Sequence, residues 1–185
     1  IKSDPKLQNI LKFQRDGEKW AKDKLYPKLA RINATYPGDL YEIDGTRIQI
    51  AYKGLNNKPS FLVMVVLLDV CTRKVLAVEF GEAESGEMYE AVLRKSIKAY
   101  KFLPAEILTD NFSPLLNPKS GFSELLTLME QRGTTWRKHL PGNARDKGHI
   151  ESFFKRFQHQ YCKYIEGYVG EGVTSKNPDA HPSQE

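Results

Sequence analysis

Eight consecutive apolar residues, at positions 61–68, constrain the fold of this chain more than any other feature of its sequence. The run is too short to span a membrane, which takes about 20 apolar residues. A strand that is apolar at every position suits a sheet whose two faces are both covered. The sequence therefore predicts a buried strand in a sheet that has helices on both sides.

The hydrophobic period predicts the elements around this strand. From Leu40 the apolar residues alternate, which indicates a first strand in which Glu42 and Asp44 share one face. We expect strands at 40–50, 61–69, 75–80, 106–109 and 134–137 and helices at 86–102, 122–132 and 150–164. The order β-β-β-α-β-α-β-α predicts an α/β domain with a mixed sheet. The first three strands form an antiparallel meander, and the fourth follows a helix and runs parallel to the first.

The positive charge of the chain is concentrated at its start. Residues 1–31 contain nine Lys or Arg and four acidic residues, which accounts for the whole net charge of +5. We divide the chain into a basic helical segment or linker at 1–35, a core at 36–166 and an extended polar tail at 167–185. The basic segment is an arm that contacts DNA phosphates, a linker to an upstream domain, or a solvated helix face; we favour the linker. Because the chain begins with Ile1, we expect it to be part of a longer protein.

Cysteine and histidine content argues against a disulfide framework or a zinc site. Cys71 and Cys162 are far apart in sequence, and the four histidines show no Cys/His pairing at ligand spacing. We expect a reducing, cytoplasmic compartment.

Three carboxylates carry the functional prediction. Asp44 lies within the first strand, Asp110 follows the fourth strand, and Glu151 lies in the first turn of the last helix. Each one alone is more often a solvated acid, a turn residue or an acid that favours the helix dipole. In this element order, however, the first and fourth strands are neighbours, so the three carboxylates can converge. Hard oxygen ligands of this kind suit Mg²⁺, and their mutual repulsion calls for cations.

Polar and basic residues near these acids predict contacts with a nucleic acid. Lys155 lies one helical turn beyond Glu151, although a Glu–Lys pair that merely supports the helix is the simpler alternative. We expect the following residues to contact DNA: Lys155, Arg156, Lys147, Arg145 and Asn111.

Four segments resemble the retroviral-integrase-like catalytic core of the DDE transposases. Gly-His-Ile-Glu-Ser-Phe-Phe-Lys at 148–155 resembles the glutamate motif of bacterial insertion-sequence transposases, and Thr-Asp-Asn at 109–111 resembles the second aspartate motif. Residues 68–77 resemble the second and third strands of that family, and residues 166–178 are similar to phage Mu-type transposases. Forty residues separate Asp110 from Glu151, more than in retroviral integrases, and Phe112 replaces the usual glycine after Asp-Asn.

This resemblance implies an RNase H-like fold, with a five-stranded mixed sheet flanked by helices. It implies that Asp44, Asp110 and Glu151 are the catalytic ligands of two Mg²⁺ or Mn²⁺ ions. The implied activity is cleavage of transposon-end DNA and transfer of the 3′-hydroxyl into target DNA, by a homo-oligomer of bacterial or phage origin that acts at the nucleoid and not at a membrane. An inactive DNA-binding relic and an RNase H-like nuclease remain as alternatives.

Overall fold

A computed structural model describes residues 14–15, 34–53, 59–110, 121–138 and 148–170. The described residues from Ala34 onward belong to one compact unit, Ile32–Glu185. Most of the predicted segment 1–35 and most of the predicted tail 167–185 lie outside the described residues. The division of the chain into three segments therefore stays a prediction.

The described strands form one mixed sheet in the order β3-β2-β1-β4-β5. Their bounds are β1 Leu40–Lys53, β2 Pro59–Asp69, β3 Val75–Gly81, β4 Glu106–Thr109 and β5 Thr135–Lys138. β2 pairs antiparallel with both β1 and β3, whereas β4 is parallel to β1 and to β5. The predicted meander and the predicted parallel pairing of the first and fourth strands are both confirmed. β1 runs to Lys53 rather than residue 50, and its register with β2 shifts between Arg47 and Ala51.

The described helices are α1 Gly86–Tyr100, α2 Gly121–Glu130 and α3 Gly148–Gln160. α1 ends slightly earlier than predicted because Lys101 adopts the left-handed conformation, at φ 55°, and its N–H donates to the carbonyl of Ile97. α3 ends at Gln160 and is followed by the 3₁₀ helix Cys162–Tyr164 instead of continuing to residue 164. Among the described helices, none has the length and apolar character that a membrane crossing requires.

The two faces of the sheet pack against different helices. One face contributes odd-numbered strand residues to a core with α1 and α2, and its buried members include Ile43, Val65, Leu67, Ile107, Tyr89, Leu93, Phe122 and Leu126. The other face contributes even-numbered strand residues to a core with α3, and its buried members include Leu40, Met64, Val66, Leu68, Leu108, Ile150 and Phe154. β2 supplies side chains to both cores, which explains its unbroken apolar sequence and confirms the prediction made from it.

Candidate active site

Parallel pairing of β1 and β4 brings the two predicted aspartates to the same place. The last paired residues are Glu42 on β1 and Leu108 on β4. Asp44 lies two residues further along β1, and Asp110 lies one residue past the end of β4, so the same register, if continued, would pair the two aspartates. Paired strands are about 4.8 Å apart, which is close enough for both carboxylates to contact one cation. Both residues are even-numbered, like Leu108, whose side chain faces α3, so the alternation of side chains along a strand assigns them to the same face.

Asp44 and Asp110 are both accessible to solvent, and the negative charge of each raises the pKa of the buried Tyr89 hydroxyl. Asp44 is half-buried, its Oδ1 accepts the N–H of Gly45 at 3.0 Å, and Asp110 is exposed. Burial, the hydrogen bond to Glu84 and the charge of Glu84 raise the pKa of Tyr89, and the charges of Asp44 and Asp110 raise it further.

The start of α3, which carries Glu151, is bonded to β1. The residue before it, Ile150, donates its backbone N–H to Oε2 of Glu42 at 2.8 Å. Glu42 belongs to β1 and lies two residues before Asp44, on the same face of the strand. Glu151 itself is exposed. The structure thus ties the helix that carries Glu151 to the strand that carries Asp44.

The carboxylate oxygens of these residues are ligands of the kind that Mg²⁺ prefers, although the described residues do not surround a metal position completely. Within the described ranges, no group of three or more His, Cys, Asp or Glu residues is arranged to hold a metal ion. Mg²⁺ keeps several waters and is commonly held by one or two carboxylates together with substrate phosphates. Asp44 and Asp110, which are both accessible to water and which the continued β1–β4 register would pair, are of the type that such a site uses. Glu151 stays a predicted third ligand.

The predicted DNA-contacting residues are only partly described. Lys155 and Arg156 are exposed on α3, and Nε of Arg156 donates to the carbonyl of Ser152 at 3.3 Å. The other three, Arg145, Lys147 and Asn111, lie outside the described residues. A DNA-contacting role stays a prediction for all five.

Sequence reasoning missed Tyr89 and Glu84, which approach β1 at Gly45, the residue after Asp44. Tyr89 on α1 is fully buried, and its hydroxyl donates to the carboxylate of Glu84. A Cβ atom added to Gly45 would lie 2.5 Å from Oε1 of Glu84 and 3.2 Å from the Tyr89 hydroxyl. Gly45 therefore leaves room for this pair to contact the β1 backbone next to Asp44. The signal was present in the sequence, because a glycine inside a strand often marks a close approach of another group.

Sequence reasoning also missed the role of Glu42. The alternating pattern placed it on the same face as Asp44, but its side chain is fully buried and is bonded to α3. A buried glutamate is rare unless it is paired, and here the N-terminus of a helix supplies the partner. No sequence pattern indicated this contact, since the two bonded residues are 108 positions apart.

Comparisons with known proteins identify the fold. No family model matches the sequence, and no curated protein matches it. Among solved structures, the chain is similar to the HTLV-2 integrase catalytic core domain, described in complex with magnesium and in a dimeric form. That match has a TM-score of 0.53 and 18% identity, and it covers 71% of this chain and 75% of the integrase chain. The catalytic core domain of BIV integrase matches with a TM-score of 0.45 and 16% identity, over 69% of this chain and 71% of that one.

At this level of identity the HTLV-2 match establishes the fold alone. A five-stranded mixed sheet flanked by helices, in the order observed here, is the RNase H-like architecture of an integrase catalytic core. The fold predicted from the resemblance is thereby confirmed. Because one fold supports many activities, function has to be argued from the site.

Proposed function

We propose that this chain is the catalytic core of a DNA transposase, related to the Mu type, that cleaves transposon-end DNA and joins the 3′-hydroxyl to target DNA. The observation that supports the proposal is the β1–β4 register, which pairs Glu42 with Leu108 and, continued by two residues, would pair the solvent-accessible Asp44 and Asp110. The start of α3, with Glu151, is bonded to the same strand. The similarity of the fold to an integrase catalytic core supports the proposal.

In this proposal Asp44, Asp110 and Glu151 would hold two Mg²⁺ or Mn²⁺ ions. Ions in such a site activate the attacking oxygen and stabilise the leaving oxygen of a phosphodiester displacement. The protein's own contribution would be geometric, because β1, β4 and α3, which carry or precede the three carboxylates, belong to one compact unit.

Basic residues on α3 position the DNA strand. Lys155 is exposed one turn beyond Glu151, so its ammonium group can neutralise a phosphate next to the reacting one. Phosphate contacts position DNA and carry no sequence information. We therefore propose that this core contributes little sequence recognition, and that recognition of the transposon ends resides elsewhere in the protein. The active complex contains more than one copy of the chain, with DNA ends and target DNA as partners.

The decisive assay uses a branched DNA duplex in which a labelled strand with a free 3′-hydroxyl lies next to the phosphodiester that it attacks. Such a substrate requires no recognition of a particular end. With Mg²⁺ or Mn²⁺ we expect a joined product from the wild-type chain and none from Glu151→Gln. Glu130→Gln, an exposed carboxylate on α2, is the matched control and should leave the reaction unchanged.

The outcomes of this assay separate the alternatives. Joining by Glu151→Gln at the wild-type rate would refute the assignment of the third ligand. Hydrolysis of an RNA–DNA hybrid without any joined DNA product would favour an RNase H-like nuclease. Binding of DNA by the folded chain, with neither cleavage nor joining in either metal, would identify an inactive relic.

A further inference from the structure

Glu42, on β1, has a buried carboxylate that accepts a hydrogen bond from the backbone of α3. Its side chain has no solvent exposure, and its Oε2 accepts the N–H of Ile150 at 2.8 Å. α3 begins at Gly148, so Ile150 is in the first turn, where backbone N–H groups have no acceptor within the helix. Glu42 therefore satisfies one of these donors from outside the helix, and the positive end of the helix dipole favours its negative charge.

The position of this hydrogen bond connects two of the proposed metal ligands. Glu42 lies two residues before Asp44 on the same face of β1, and Ile150 immediately precedes Glu151. A shift of the first turn of α3 relative to β1 would therefore change the distance between the carboxylates of Asp44 and Glu151.

A second polar contact joins α3 to β1 and provides an internal comparison. Oε1 of Gln158 accepts the N–H of Gln49 at 3.1 Å, and Nε2 of Gln158 donates to the carbonyl of Arg47 at 3.5 Å. Gln158 is nearly as buried as Glu42, with 7% of its surface exposed. It lies seven residues beyond Glu151, which is about 10 Å along the helix axis. The two contacts thus share their helix and their strand but differ in their distance from the site.

We infer that Glu42 is a positioning residue, which holds the first turn of α3 against β1 and so sets Glu151 at the distance from Asp44 that a shared metal site requires. The inference rests on the proposed function, since it assigns a purpose to the geometry of that site. The competing explanation is that the Glu42–Ile150 bond only stabilises the fold. The Gln158 contact is the control for this explanation, because it joins the same helix and strand but lies farther from Glu151.

The test compares Mn²⁺ binding in three variants, with Mn²⁺ alone as the probe and electron paramagnetic resonance as the readout. Glu42→Met keeps the volume of the side chain and removes the acceptor, and Gln158→Met does the same at the other contact. Loss of a group that orients a metal ligand typically weakens metal affinity by about 10- to 100-fold. We expect a loss of about tenfold or more for Glu42→Met and a change of less than about twofold for Gln158→Met. Glu42→Gln, which keeps a carbonyl acceptor, should restore most of the affinity.

Hydrogen exchange of the Ile150 amide, measured without metal, reports on the bond itself. It should be faster in Glu42→Met than in the wild type and unchanged in Gln158→Met. If Glu42→Met does not fold, Glu42→Asp replaces it, because the shorter side chain withdraws the acceptor and keeps the charge; the same loss of affinity is expected.

The result that would overturn the inference is a folded Glu42→Met or Glu42→Asp variant with faster Ile150 exchange and wild-type Mn²⁺ affinity. Equal losses of affinity in Glu42→Met and Gln158→Met would overturn it as well, since both contacts would then be merely structural. A wild-type chain that binds no Mn²⁺ would instead contradict the proposed function, and the inference would fail with it.

Discussion

The two faces of the sheet use different means to hold their helices. α1 and α2 lie on an apolar core built around Tyr89, Leu93, Phe122 and Leu126. α3 also packs on apolar side chains, but two buried polar residues, Glu42 and Gln158, bond it directly to β1. The hydrophobic effect is non-directional, whereas a hydrogen bond requires a defined distance and direction. On the opposite face, Lys95 of α1 contacts β3 through an exposed ion pair with Glu79, so buried polar side chains that bond a helix to β1 are described only on the face that carries Glu151.

Of the changes that distinguish the two faces, Asp44→Asn on the α3 face should have the largest effect, and that effect should be on activity. We expect metal-dependent joining of the branched DNA to fall by about a thousandfold, which equals roughly 4 kcal/mol in activation free energy. An amide oxygen can still accept the N–H of Gly45, so the free energy of unfolding should change little. Rate measurements and urea titration check the two parts. A thousandfold loss accompanied by unfolding would mean that Asp44 serves the fold.

The opposite result is expected from Leu126→Ala on the α1–α2 face. Leu126 is 2% exposed in the apolar core, and truncation of a buried leucine costs about 3 kcal/mol of stability through lost burial and a residual cavity. Below the new melting temperature, Mn²⁺ affinity should equal that of the wild type. A large loss of affinity in the folded variant would show that the two faces are not independent.

A smaller effect is expected at Gly45, whose Cβ position faces Glu84 and Tyr89 on the α1–α2 face. In Gly45→Ala the new methyl group displaces the carboxylate of Glu84 and leaves the Tyr89 hydroxyl without it, at a cost of about 1.5 kcal/mol in the free energy of unfolding. The control is the double variant Gly45→Ala/Glu84→Ala, in which the obstructing carboxylate is absent. It should be no less stable than Glu84→Ala alone, as denaturant titration can show. Strict additivity of the two changes would contradict the contact.

The smallest effect is expected from Tyr89→Phe, which removes only the donor to Glu84. The cost should be about 1 kcal/mol near neutral pH. Burial and Glu84 raise the pKa of Tyr89 well above its usual value, so the folded state favours the protonated hydroxyl. That contribution is complete below pH 10 and declines as the pH rises further, so the stability difference between the variant and the wild type should shrink above pH 10. A difference that grows there would contradict the assigned direction.

The sequence predicted the strands of the sheet well because the hydrophobic patterns that indicate strands involve residues close together in the chain. The apolar run in β2 and the alternation in β1 each indicate a strand, and the order of elements then pairs β1 with β4. The adjacency of Asp44 and Asp110 follows from that pairing. The end of α3 was placed too late, because the break after Gln160 into a 3₁₀ helix leaves the helical spacing of apolar residues nearly unchanged.

Contacts between distant residues could not be predicted in the same way. The alternation assigned Glu42 to a face but could not reveal the Ile150 N–H as its partner. Glu84 lies outside any strand or helix, and its position against Gly45 depends on the path of the connection between β3 and α1. Only Gly45 carried a sequence signal of this contact, and a single glycine cannot identify the group that approaches it.

The most direct test of the account is a crystal of the wild-type chain soaked in Mn²⁺ and measured for anomalous scattering. The account predicts anomalous density between the carboxylates of Asp44 and Asp110, with Glu151 facing the same ions, and no such density in crystals of Asp44→Asn. Fully occupied Mn²⁺ elsewhere on the surface, with the Asp44 and Asp110 carboxylates pointing apart and no peak between them, would contradict the central claim.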